Sequence, residues 1–164
     1  MALPNKVLAG FSATLYCQPT ATPTPLSVAN LSVYASVSAI AVSSNLVPVE
    51  AIPAFGQDDA VASFAVAGSR QSDKIPSQSA PTSMVITAAW NPSDAVLLLL
   101  RGDAYNGMID RTFVISATDG TGIVNYAFNG RVSEWQIDSA PNAEAKVMFS
   151  IQPRGNQYGW TAST

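Results

Sequence analysis

Apolar and polar positions alternate at period two over most of the chain, the pattern of strands with one buried face. From Val7 to Cys17, Phe11, Ala13 and Leu15 fall on one parity and Gly10, Ser12, Thr14 and Tyr16 on the other. Leu31, Val33, Ala35, Val37, Ala39 and Ala41 then alternate with Ser32, Tyr34, Ser36 and Ser38, which predicts a long half-buried strand. Ser43-Ser44-Asn45 is a turn, and Leu46 to Ile52 runs back as its partner, with Pro48 and Pro53 limiting the ladder. Further strands are predicted over Ala60 to Ala67, Met84 to Trp90, Ile109 to Ala117, Ile123 to Ile137 and Lys146 to Gln152, the last with Val147, Phe149 and Ile151 inward. Within the longest, Val124 to Val132 keep one parity while Trp135 and Ile137 take the other, so a bulge is expected between Gly130 and Glu134.

One stretch breaks the alternation. Asn91-Pro92-Ser93-Asp94 followed by Ala95, Val96 and Leu97 to Leu100 predicts the only strong helix, about 91–101. Asn91 is expected at the N-cap, Pro92 at the first helical position, Asp94 reaching back as in a capping box, and Gly102 just past the last turn. Such a helix is apolar around most of its circumference and must be covered on more than one side, so it reads as a plug against a sheet. The fold class that follows is mainly β, a single domain over 1–164: a β-sandwich or split barrel with one short flanking helix. Three segments stand outside this scheme. Gln18 to Asn30 is an extended Thr/Pro/Ala-rich loop, and 69–83, with Arg70, Asp73, Lys74, Pro76 and Pro81, has no apolar period and is expected to project. The tail 153–164 holds Tyr158 and Trp160 among glycines and is expected to dock.

Composition narrows the chemistry. Charged residues make up 12% of the chain, against about 25% in an average domain, so much of the surface is expected to be covered by partners. The chain contains no histidine, which removes the usual general base and commonest metal ligand, and one cysteine, Cys17, which excludes an internal disulfide. No G-x-S-x-G elbow is present, so an enzyme is not expected. Asp103, Asn106 and Asp110 fit no calcium-loop spacing, Gly120-Thr121-Gly122 precedes no helix, and Arg101-Gly102-Asp103 reads as a helix end; neither a metal nor a cofactor is expected. A net charge of −3 without clustered Lys and Arg argues against gripping a nucleic-acid backbone. No run approaches 18 apolar residues, so no membrane span is predicted, and the segment after Met1 makes a poor signal peptide. Trp90 and Trp135 sit in strand patterns that want core residues, leaving Trp160 as the one free aromatic for a sugar platform.

The order of elements resembles the major tail tube proteins of long-tailed, lambda-like bacteriophages. The resemblance is carried by Asp58-Asp59, the polar Gly68 to Pro76 stretch, Ala88-Ala89-Trp90-Asn91-Pro92 leading into Leu97-Leu98, Arg111-Thr112-Phe113, Phe128 to Ser133, and Phe149 to Gly155. It covers most of the chain from about residue 50 and lies in the order of the motifs. It implies hexameric rings stacked into a tube of the virion tail, assembled in the host cytoplasm, with other tail proteins such as the tape measure and terminator as partners. It also implies that DNA passes through the lumen without specific binding. On that reading the hairpin 31–52, which has no Lys or Arg, closes with its copies into a barrel and lines the channel with Ser32, Ser36, Ser38 and Glu50. Arg70, Asp73, Lys74, Ile75, Tyr158 and Trp160 are the candidates for ring-to-ring contact. Two other readings stay open: a monomeric β-sandwich module that binds a ligand or carbohydrate, and a head-decoration or pilus-like subunit.

Overall fold

The computed structural model describes residues 12–65, 72–107, 109–118, 122–139, 144–155 and 159–163, with only the backbone at 57–65, 72–80, 160 and 163. Its elements in chain order are β1 (Ser12–Cys17), a 3-10 turn (Val28–Ser32), α1 (Tyr34–Ser38), a second 3-10 turn (Ser43–Asn45), β2 (Leu46–Val47), β3 (Val49–Ala51), β4 (Gln57–Ala65) and β5 (Ser72–Pro81). There follow β6 (Met84–Ala89), α2 (Ala95–Asn106), β7 (Arg111–Thr118), β8 (Ile123–Asp138), β9 (Lys146–Pro153) and β10 (Gly159–Ser163). As the alternation predicts, the chain is mainly β.

The main sheet runs β2-β1-β7-β8-β9-β6-β3, and the pairings described are all antiparallel. β2 and β3 are its two edges, yet they are one stretch of chain, Leu46 to Ala51, interrupted at Pro48. Leu46 and Val47 pair with β1, while Val49 and Ala51 pair with β6. Pro48 has no N–H to give, but its carbonyl accepts the Ala89 N–H at 3.0 Å, so the stretch bends from one edge to the other and brings the sheet close to a closed barrel. β8 is long enough to pair along one side with both β9 and β10; between them the Arg154 N–H reaches the Asn129 carbonyl at 2.7 Å.

Period two then decides what lies inside. Leu15 and Cys17, Phe113 and Ile115, Phe128 and Val132, Val147, Phe149 and Ile151, and Met84, Ile86 and Ala88 form one buried cluster, which α2 completes with Val96, Leu97 and Leu100. Each Val, Leu, Ile, Met or Phe side chain among them contributes about 1.5–3 kcal/mol by leaving water. The expected bulge is present: the β8–β9 register shifts between Ser133 and Gln136, and Glu134 has φ 59°. The extra residue lets Trp135 pack on the same core as Val132 despite the odd spacing.

The segment 31–41 is not a strand. Its buried residues Leu31, Val37 and Ile40 belong to a 3-10 turn, α1 and the turn after it, and they cover the opposite face of the sheet at Val114 and Ala127. Ala and Ser, which fill most of this segment, are too small to fix a period, and Ala favours helix. The long hairpin 31–52 therefore does not form, and two helices are present among the described residues rather than one. The loop predicted over 69–83 is also corrected: Ser72–Pro81 is a ten-residue strand.

The main helix is displaced from its predicted bounds. Asp94, not Asn91, is its N-cap, accepting the N–H groups of Val96 at 2.9 Å and Leu97 at 3.0 Å, where its charge also suits the helix dipole. Asn91 instead accepts the Ser93 N–H at 3.0 Å and shapes the turn before the helix. Gly102 is helical, and the cap at the far end is Gly107, at φ 65°. The tail is no free end either. β10 docks on β8, and Gly159 lies so close beneath the 3-10 turn that a Cβ there would stand 2.1 Å from the Leu31 carbonyl oxygen.

Two glycines thus respond in opposite directions. Gly159→Ala forces backbone apart and is expected to destabilise by about 1–3 kcal/mol, whereas Gly102→Ala, with nothing within 4 Å of the added Cβ, is expected to stabilise by about 0.5–1 kcal/mol. Urea unfolding of the two variants checks both signs.

Candidate functional site

β4 and β5 form a two-stranded sheet of their own, separate from the main sheet. Their register runs from Gln57 opposite Pro81 to Ala65 opposite Ser72, with Ser63 opposite Lys74, Phe64 opposite Asp73 and a shift between Asp59 and Val61. Among the described residues, the outer edges of both strands are paired to nothing. A lone hairpin is marginal in water, and long open edges are templates for another chain. The stretch 69–83, which has no apolar period, thus contributes a strand, Ser72–Pro81, to a sheet separate from the main one.

The body that carries the hairpin is fixed by polar contacts. Arg111, the first residue of β7, is 1% exposed and Asp103 of α2 is 4% exposed. The Arg111 guanidinium donates to both Asp103 oxygens, with Nη2 to Oδ1 at 3.0 Å, and through Nη1 to the carbonyls of Gln18 at 2.9 Å and Thr20 at 2.5 Å. Next to it the Leu26 N–H donates to Thr112 Oγ1 at 2.9 Å, that hydroxyl donates to Asn129 Oδ1 at 2.7 Å, and Asn129 Nδ2 donates back to the Leu26 carbonyl at 2.8 Å. The Pro-rich loop after β1 is thereby fastened at both ends to β7 and β8. A shallow groove of about 310 Å³ between the loop and the start of β7 is lined by Ala21, Thr22, Pro23, Pro25, Ile109 and Asp110, which include neither a nucleophile nor a base poised on one.

Asp103 and Asp110, weighed from the sequence as oxygen donors to a cation, are both committed to arginines. Arg131 hydrogen-bonds Asp110, and Arg154 Nη1 donates to Asp110 Oδ2 at 2.5 Å. Burial alone would raise the Asp110 carboxyl; the hydrogen bonds from the two guanidinium groups outweigh it and hold the group below its ordinary value. No group of three or more His, Cys, Asp or Glu among the described residues is arranged to hold a metal ion.

The residues expected to line a channel are dispersed. Ser32 closes the 3-10 turn, Ser36 and Ser38 lie on α1, where Ser38 Oγ donates to the Ala35 carbonyl at 3.3 Å, and Glu50 of β3 accepts from Lys146 at 2.5 Å. The hairpin that was to bring them together does not exist. Of the ring-contact candidates, Asp73, Lys74 and Ile75 belong to β5, Trp160 belongs to β10 with its backbone opposite Tyr126, and Arg70 and Tyr158 lie outside the described residues. An aromatic sugar platform loses two of its three tryptophans: Trp90 and Trp135 meet edge to face at 5.9 Å, and Trp135 stacks on Phe149 at 5.4 Å. The contacts of Arg111, Thr112, Asn129 and Asp110 were not foreseen. Their signal was present in Asp103, the one acidic residue within the Leu-rich helix, and Arg111, the one charged residue of its strand.

No protein-family model matches the sequence, and no curated protein is significantly similar to it. Solved structures do share the fold. A chain of the sheath/tube terminator of an extracellular contractile injection system, PVC in the extended state, superposes with a TM-score of 0.64 at 11% identity, covering 96% of this chain and 99% of that one. A chain of the six-fold symmetrised anti-feeding prophage baseplate gives 0.63 at 11%, covering 98% and 97%. The SPP1 tail tube gives 0.55 at 11%, covering 90% and 76%.

Removing one member of the buried ion pair leaves the other charged and unpartnered, so Arg111→Met is expected to cost about 3–5 kcal/mol. Arg111→Met with Asp103→Leu is expected to recover part of that loss. Denaturant midpoints of the two variants make the comparison.

Proposed function

We propose that this chain is a structural subunit of a phage-type tail tube: copies form rings, six to a ring, which stack into a tube that conducts DNA. The observation that carries the reading is the β4–β5 hairpin, whose open edges the subunit's own sheet leaves unpaired, on a fold shared with the SPP1 tail tube and with injection-system chains. Strand edges of neighbouring copies satisfy each other and close a barrel, which removes the edges altogether. The lumen then falls to the hairpin 57–81 in place of 31–52. Its strands carry Asp58, Asp59 and Asp73 against Lys74, an acidic balance that offers little hold to passing phosphates.

The role is one of assembly and conduction rather than catalysis, in keeping with a chain that lacks histidine and buries its one cysteine. The place of action is the virion tail, with assembly in the host cytoplasm, and the partners are other copies of the chain together with other tail proteins such as the tape measure and terminator. A lambda-like, long-tailed particle is the form we favour, on the resemblance carried by Ala88 to Pro92 and Phe149 to Gly155.

Replacing 57–81 by a short Gly/Ser linker tests this directly. The variant is expected to keep the cooperative melt of the body and to form no rings or tubes by negative-stain microscopy, where the unaltered protein shows tubes with a central hole. Tubes that persist without the hairpin would remove it from the assembly.

A further inference from the structure

The chain is poor in charge, with 8 Lys and Arg and 11 Asp and Glu, yet seven of these residues gather at the two ends of one ribbon formed by β8 and β9. At one end stand Arg131 of β8 and Arg154, just beyond β9. Both donate to the single carboxylate of Asp110, so two positive charges meet one negative and the cluster is net +1. Arg154 is 54% exposed, and a guanidinium has five N–H donors, more than Asp110 can take. At the other end Asp138 stands opposite Lys146 in the register, Glu144 lies two residues before Lys146, and Glu50 accepts from it at 2.5 Å. One ammonium among three carboxylates leaves this end at net −2, and Asp138 and Glu144 are exposed.

Along β8 from Arg131 to Asp138, and along β9 from Lys146 to Arg154, the ends lie roughly 23–26 Å apart at about 3.3 Å per residue. That is well beyond a Debye length of about 8–10 Å. The two ends do not neutralise each other within one chain, and each is left to seek its counterpart outside.

We infer that these ends meet between copies: the Asp138/Glu144 end of one chain seats on the Arg131/Arg154 end of the next. Resting on the tube reading above, this names a residue-level contact that holds copies in it. The partner is a second copy because the complementary charge is on the same ribbon of the same chain. Meeting like end to like end opposes charges of one sign, so the attractive contact joins opposite ends, and in the ring that the tube reading requires it runs head to tail. A head-to-tail contact repeats into a ring or a filament instead of closing a dimer. Arginine and carboxylate also match geometrically, since the planar fork can donate two parallel hydrogen bonds, and complementary potentials set orientation and partner choice.

A charge swap tests it. Arg154→Glu alone, and Asp138→Arg with Glu144→Arg, are each expected to raise the concentration needed for assembly about tenfold or more in low salt, read by sedimentation velocity. All three substitutions in one chain are expected to restore assembly, because the swapped ends again attract. Arg154→Ala, which adds no new charge, is expected to fall between the wild type and Arg154→Glu. High salt is expected to weaken assembly of the wild type and to narrow the gaps among the variants. Variants that assemble as the wild type does in low salt, or a triple variant no better than its parents, would overturn the contact while leaving the tube reading in place. Wild-type protein that never assembles would overturn both.

Discussion

The guanidinium of Arg111 has almost no access to water, and an unmatched charge in that position costs several kcal/mol. The surrounding structure is arranged to prevent this. Asp103 supplies the counter-charge from α2, and the carbonyls of Gln18 and Thr20 take the remaining donors. Three pieces are thereby set at once: the helix that plugs the core, the first residue of β7, and, 91 to 93 residues away in sequence, the exit of the chain from β1. Cys17 feels the same environment. Burial pushes its thiol up to about 12; nearby Arg111 acts to lower it and Asp103 to raise it, so the group stays protonated and inert at neutral pH.

With the helix fixed, the sheet can close around it. The stretch Leu46 to Ala51 serves both edges by bending at Pro48, so the body shields the edges that make β proteins associate. The hairpin β4–β5 differs: among the described residues its two strands, of nine and ten residues, pair only with each other. On the tube reading proposed above, a chain that shields one set of edges and leaves another open directs its association to the open set. That contrast, more than any single side chain, links the fold to assembly.

Elements with a one-sided core were legible in the sequence. Met84, Ile86 and Ala88, Val147, Phe149 and Ile151, and the parity slip at Trp135 all announced their burial, because large side chains at period two leave few alternatives. Where side chains are small or no core is faced, the signal failed. Ala35, Ser36, Ser38 and Ala39 fit a strand or a helix equally well and fold as helix because Leu31, Val37 and Ile40 must cover Val114 and Ala127. Residues 72–81 looked like a loop because Ser, Gln, Pro and charged residues fill them and leave no apolar period, while the structure pairs them with β4. The helix caps were misplaced by one turn since Asn91 and Asp94 are both good caps, and Gly102 stays helical because Asp103 must reach Arg111. The candidate channel residues lose the hairpin that was to carry them and lie on separate elements, and the partners that Arg111 and Arg154 find depend on juxtapositions that no local pattern encodes.

Assembly through open strand edges has a direct backbone signature. Amide hydrogen exchange across 57–65 and 72–81 should be fast at outward-facing positions of the dissociated subunit and strongly slowed in the assembled particle, while β6 to β9 are protected in both. Equal exchange of the hairpin in the two states would show that its edges remain open in the particle and would contradict a barrel built from them.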